Sequence, residues 1–247
     1  MLAAFRVLRH RFRFEVLSPV YFPPYKAENV LRGMAGLLLP ASAGEILNPI
    51  WRSAPSGFAT PPKPFVFRAH HLDGLRFQPG AGLHFDIHDF APRLPIRDSF
   101  ESAMKRLEIE GLGPGRGKLR LLSTETDSFR SAAVETSKIG LNFITPTEIE
   151  TAFDILIARL HDRINALSTC YQNNSLPPLD RVKVRLVRDE TRHIERQRFS
   201  TRTGQTYETG GVVGMLTYEG SLAAAIPYLE VGQWTGIGDG HYEIAIQ

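Results

Sequence analysis

The chain has 247 residues, 43% of them hydrophobic and 22% charged, with a formal net charge of +3 and a pI near 9.1. That length buries one large core or two small ones, and the composition is that of a soluble globular protein. One cysteine, Cys170, excludes an intrachain disulfide and a cysteine metal cluster, and no apolar run approaches the roughly 20 residues of a membrane helix.

Arg6, Arg9, Arg11 and Arg13 interrupt the N-terminal stretch where a signal peptide needs apolar residues, so a cytoplasmic location is expected. Across Phe5 to Leu17 the positions Leu8, His10, Phe12, Phe14 and Val16 alternate with Arg9, Arg11, Arg13 and Glu15. This period of two predicts a strand with one buried and one cationic face. "SPVYFPPY" breaks it, and a helix follows from about Ala27 to Leu39, ended by Pro40. Residues 40–64 read as an irregular excursion. "PFVFRA" and "GLHFDIHDF" read as strands, Ile96, Phe100, Ala103, Met104 and Leu107 have helical spacing, and "GRGKLRLLS" reads as a strand after a glycine-rich turn.

The second half repeats that order. "KIGLNFI" is a strand. "TPTEIETAFDILIARLHDRINAL" is the strongest helix, with Thr145 and Glu148 at capping-box spacing and Pro146 at the first helical position. "RVKVRLV" and "GGVVGMLTYEG" read as strands separated by a polar, basic segment, "SLAAAIPYL" as a short helix and "HYEIAI" as the last strand. The fold class is therefore α+β: two tandem ferredoxin-like, RRM-like domains of β-α-β-β-α-β order. They are placed at residues 1–130 and 131–247, the second carrying a basic hairpin and a glycine-rich loop.

"LRGMAGLLL", "PPKPFVFRA", "GLGPGRGKLRLL", "LNFITPTEI", "GGVVGMLTYEG" and the terminal glycine loop occur in that order. The series resembles the CRISPR-associated endoribonucleases of the RAMP superfamily, which process precursor CRISPR RNA at its repeats. The resemblance implies two ferredoxin-like domains, CRISPR repeat RNA as partner, and metal-independent cleavage with no cofactor. In that chemistry a ribose 2′-hydroxyl attacks the adjacent phosphate and leaves a 2′,3′-cyclic phosphate. It calls for a base, an acid, and a cation or N–H groups for the phosphorane.

Gly236, Gly238 and Gly240 would let backbone N–H groups approach phosphate oxygens, or would simply make a tight turn. They are no dinucleotide fingerprint, because His241 follows at the third glycine position. Arg181, Lys183, Arg185, Arg188, Arg192, Arg196 and Arg198 crowd one segment, as candidates for a phosphate backbone or for a charged edge strand. The arginines at 9, 11 and 13 carry the same two readings. Gly111 to Gly117, with Arg116 and Lys118, is no Walker A loop and reads as a structural turn.

Many members of the resembled family place a catalytic histidine in or before the first helix. This chain has none between positions 11 and 69 and offers Tyr21, Tyr25, Lys26 and Arg32 instead. The catalytic candidates are Lys26, Tyr25 and His241, the last because it follows the glycine loop and imidazole titrates near neutrality. His10 reads as a packed side chain and His161 as a boundary residue. His70 and His71 read as exposed, and His193 as an RNA contact. Two alternatives stand beside the nuclease. One is a non-catalytic RAMP-type RNA-binding subunit of a CRISPR effector complex, which would partner other effector subunits. The other is a metalloenzyme using His84, Asp86 and His88, which alternate along one strand opposite the apolar Leu83, Phe85 and Ile87.

Overall fold

A computed structural model describes residues 2, 5–47, 61–129, 136–179, 182–199, 206–236 and 240–246. The elements run β1 (Val7–Val16), β2 (Val20–Tyr21), α1 (Ala27–Leu38), α2 (Gly44–Leu47), β3 (Phe65–Arg68), β4 (Arg76–Phe77), β5 (Gly82–Asp89), α3 (Ile96–Lys105), α4 (Leu107–Glu110) and β6 (Leu119–Phe129). They continue β7 (Lys138–Thr147), α5 (Phe153–Tyr171), β8 (Val184–Phe199), β9 (Thr206–Gly220), α6 (Ile226–Thr235) and β10 (Tyr242–Ile246). No helix among the described residues is long and apolar enough to cross a membrane.

Eight strands form two four-stranded sheets of order β3-β5-β1-β6 and β10-β7-β9-β8, β2 and β4 pair as a separate two-stranded sheet, and every pairing is antiparallel. Counting the long strands of each half from one to four, both sheets read 4-1-3-2. This is the ferredoxin-like order, and the fold class read from the sequence is borne out. Two compact units result: Ala3–Arg130 with Ala166–Ser175, and Ser131–Asn165 with Leu176–Gln247 and the first two residues.

Period-two patterning builds the first unit's core. Phe12, Phe14, Phe67, Phe85 and Ile87 lie on one sheet face at 0–1% exposure, beneath Ile96, Phe100 and Met104 of α3. Phe100 meets Phe65 and Phe67 edge to face, with centroids 4.9 and 5.6 Å apart, a favoured aromatic geometry. Helix α1 buries Leu31, Met34, Ala35 and Leu38 at helical spacing and exposes Leu37. The end of α5 and the residues after it, Ala166–Ser175, belong to this unit too. There the Gln172 amide accepts from Arg6 N–H (3.0 Å) and donates to the carbonyls of Arg6 and Phe90 (2.9 Å each), an edge-like closure of unpaired backbone.

In the second unit, Phe153, Leu156, Leu160 and Ile164 of α5 are buried beside Ile139, Leu141, Leu216 and Tyr218 of the sheet. Three expectations need correction. Thr145 and Pro146 are not the start of α5: β7 runs on to Thr147, and the helix begins at Phe153. The reason is tertiary. The Thr145 hydroxyl accepts the His241 N–H (2.8 Å), and Pro146 falls in the pairing irregularity between Phe143 and Thr147, where no ladder donor is needed. The basic segment after "RVKVRLV" is not a connection, because β8, 16 residues long from Val184 to Phe199, continues through it paired to β9. Helix α6 begins at Ile226, five residues later than read, with Pro227 in its first turn.

Candidate nucleic-acid interface and active-site residues

The two cationic stripes have different fates. On β1 the arginines meet acids delivered by the neighbouring strands. Arg9 pairs with Asp127, Arg13 with Glu125 (3.0 Å), and Arg11 holds Asp86 through two bonds of 2.8 and 2.9 Å. Burial of Asp86 works against its charge, yet the Arg11 hydrogen bond and charge prevail and hold the carboxyl below its ordinary range. The same bond raises the Arg11 guanidinium. This face is a neutralised ladder, with little positive charge left for phosphate.

That pairing also decides the histidine strand. Of the metalloenzyme candidates His84, Asp86 and His88, the last two are buried, and Asp86 is already engaged by Arg11. His84 stacks on His71 with centroids 4.5 Å apart, and burial, His71 and Arg11 lower its pKa. Among the described residues no group of three or more His, Cys, Asp or Glu could hold a metal. His10 is a packed side chain, between Asp89 (3.2 Å) and the Thr126 hydroxyl (3.0 Å). His161 shares a hydrogen bond with the Pro177 carbonyl (2.7 Å), a contact no sequence spacing announces.

On β8 the outcome differs. Arg185 pairs with Glu219 (3.1 Å) and Arg188 with Glu190 (2.7 Å); Glu219 is half-buried and the other three are exposed. Lys183 and Arg192 are exposed and make no ion pair among the described residues. The alternation of a regular strand would put Arg185 on one face and Arg188 and Arg192 on the other. The register prevents this. Leu186 pairs with Tyr218 but Arg188 with Thr217, so Val187 is the extra residue of a β-bulge. Arg185, Arg188 and Arg192 then stand opposite Glu219, Thr217 and Val213, all on the sheet face away from Leu216, Tyr218 and α5. One inserted residue has merged two half-stripes into one cationic face. Arg196 and Arg198 continue along β8 with side chains outside the described residues, and Arg181 and Gly238 lie outside them altogether.

The terminal loop has a structural account for two of its glycines. Gly236 ends α6 at φ +73, its N–H bonded to the Gly232 carbonyl (2.9 Å). A Cβ on Gly240 would overlap the Thr147 side chain. His241 is 3% exposed. Its N–H donates to the Thr145 hydroxyl and its carbonyl accepts from Ile144 N–H (2.9 Å), tying the loop to the end of β7. Arg163 supports the same corner from α5 by donating twice to the Thr235 carbonyl (3.0 and 2.8 Å).

In the other unit, Tyr25 is half-buried at φ +54, a conformation that costs a bulky side chain about 1–3 kcal/mol. Lys26 follows, exposed, at the position before α1. The first helical N–H, that of Ala27, is capped from outside by the Asp73 carboxylate (2.8 Å). The strained tyrosine and solvent-facing lysine therefore sit on a fixed helix entrance.

The family model of the CRISPR-associated endoribonuclease Cas6 matches residues 141–241. This span holds "LNFITPTEI", "GGVVGMLTYEG" and the glycine loop, so the resemblance to the repeat-processing CRISPR RAMP endoribonucleases is borne out there. No curated protein sequence matches the chain. Solved structures agree on the fold. A Cas6 (TTHB231) product complex superposes with a TM-score of 0.58 at 14% identity, over 95% of both chains. Thermus thermophilus Cas6 gives 0.55 at 12%, covering 94% of this chain and 93% of that one. A Cas6 (TTHA0078) product complex gives 0.55 at 18%, covering 98% and 99%.

Proposed function

We propose that the chain binds CRISPR repeat RNA and cleaves precursor transcripts without a metal, through attack of the 2′-hydroxyl on the adjacent phosphate. The Cas6 family match over residues 141–241 carries the reading, since that segment also builds the bulged cationic face of β8 and the glycine loop. Two of the neighbouring structures are described as Cas6 product complexes, which favours an RNA-processing role for the shared fold. In this reading Lys183, Arg185, Arg188 and Arg192, with Arg181, Arg196 and Arg198, follow the phosphate backbone. Gly236, Gly238 and Gly240 let the RNA approach the loop.

Lys26 stabilises the phosphorane or protonates the 5′-oxygen, and Tyr25 orients the ribose hydroxyl. His241 is the third candidate, for proton transfer; its burial makes anchoring of the loop the competing role. The test is incubation of the purified chain with the repeat RNA of its own CRISPR locus in EDTA. A single cut within the repeat is expected, and a cut that appears only when divalent metal is restored overturns the mechanism. The lack of histidine between positions 11 and 69 favours a second reading, an RNA-binding subunit that does not cut. Tight repeat binding with no cleavage under any condition would establish it.

A further inference from the structure

The segment from Gly111 to Gly117 is a tight turn that leads into β6. Leu112 and Gly117 exchange two backbone hydrogen bonds (2.8 and 3.0 Å), closing the turn on itself. A Cβ on Gly117 would overlap the Pro19 carbonyl and Val20, and one on Gly113 would touch Val30 of α1. The turn is thus pressed against β2. Across β2 lies β4, with Tyr21 directly opposite Arg76. The Arg76 guanidinium covers the Tyr21 ring at 4.6 Å from its centroid, and Tyr21 remains 39% exposed. Between this pair and the turn is a cleft of about 130 Å³ lined by Tyr21, Arg76, Phe77, Gln78, Pro114 and Gly115.

Three features point to one kind of occupant. The cleft is too small for a drug-sized ligand, whose pockets start near ~300 Å³, and suits one flat ring. Its wall is a guanidinium plane already stacked on an aromatic, the surface on which unpaired nucleobases settle. Positive charge lies beside it: Arg76 lines the cleft, Arg116 and Lys118 flank the lining residue Gly117 in the chain, and all three are exposed and make no ion pair among the described residues. Arg116 is held at φ +46 between the lining residues Gly115 and Gly117. Gln78 adds an amide that can read a base edge.

We propose that this cleft is a subsite for one unpaired nucleotide of the bound RNA, its base against Arg76 and Tyr21 and its phosphate near Arg116 and Lys118. The proposal rests on the RNA-binding reading above and adds a place where a nucleotide outside the paired stem is held. Tyr21 is on β2, and the chain segment that follows it leads to Tyr25 and Lys26 at the start of α1.

The test uses the full chain and its own repeat RNA, with 2-aminopurine placed in turn at each unpaired position. One position should change fluorescence on binding. Tyr21→Ala and Arg76→Ala should each abolish that change and weaken binding about 5-fold or more, and Arg76→Lys should not restore it, since charge without the plane does not stack. Making the same position abasic should weaken wild-type binding but leave the Tyr21→Ala variant unaffected. Wild-type affinity in both alanine variants, or a signal that survives them, overturns the subsite while leaving RNA binding intact. A chain that binds no repeat RNA at all overturns both.

Discussion

Removing Lys183 and Arg192 together tests whether the face assembled by the Val187 bulge tracks a phosphate backbone. Lys183, one residue before β8, and Arg192 within it are the most informative pair, because Arg185 and Arg188 are each opposed by a glutamate while these two are exposed without an acidic partner among the described residues. Each phosphate contact contributes about 0.7–0.9 to the slope of log affinity against log salt, so two lost contacts flatten it by about 1.4–1.8. Between 50 and 200 mM salt, a fourfold change, that difference amounts to about a tenfold smaller loss of affinity. Fluorescence anisotropy of labelled repeat RNA across a KCl series measures it. The control is the pair Arg9→Ala and Arg13→Ala, whose charges Asp127 and Glu125 already balance, and it should leave the slope within a few tenths of wild type. If the control flattens the slope as much as the β8 pair does, the distinction between a neutralised and an open face is wrong.

Asp86→Asn should destabilise the chain by about 2 kcal/mol in urea or thermal unfolding. This is less than the ~3–5 of a fully buried pair, because Arg11 keeps a quarter of its side chain in solvent. The folded-state pKa of Asp86 is depressed, so its contribution is fully present above the ordinary value of 3.8 and is lost as pH falls through the lower folded value. His84 acts in a different window. Its folded pKa is also lowered, so below 6.5 the unfolded chain binds more protons and stability falls with pH, a slope that His84→Gln should reduce. Gly240→Ala should cost about 1–3 kcal/mol by overlap with Thr147, and Thr147→Ala in the same chain should recover part of it, as measured by thermal melts. Lys26→Ala should slow single-turnover cleavage tenfold or more, at least about 1.4 kcal/mol, with RNA affinity nearly unchanged. His241→Ala should remove a limb of the pH–rate profile near neutrality if the imidazole transfers a proton, and only lower the melting temperature if it anchors the loop.

The strands and helices were legible wherever one face is buried and the other is not. The alternation of Phe12 and Phe14 with Arg11 and Arg13 survives intact in β1. What was not legible depends on partners distant in sequence. No local pattern reveals that Asp86, Glu125 and Asp127 would stand opposite the β1 arginines, although this cancels the stripe. Thr145 and Pro146 have the spacing of a helix start, but the hydroxyl that would have capped the helix is used by His241 almost a hundred residues later. The bulge at Val187 is equally silent. An apolar Val after Leu186 reads as ordinary strand, yet it decides which face Arg188 and Arg192 join. Among the catalytic candidates, the sequence pointed to Tyr25 for its position before a helix, while its positive φ is visible only in the structure.

The proposed function requires that the RNA's own 2′-hydroxyl make the cut. Its most direct test is a repeat RNA carrying a single 2′-deoxy sugar immediately upstream of the cut site, incubated beside the all-ribose repeat in EDTA. Both should bind equally, the ribose substrate alone should be cut, and its upstream product should carry a 2′,3′-cyclic phosphate by mass spectrometry. Cleavage of the deoxy substrate, or a linear phosphate formed directly, would contradict it.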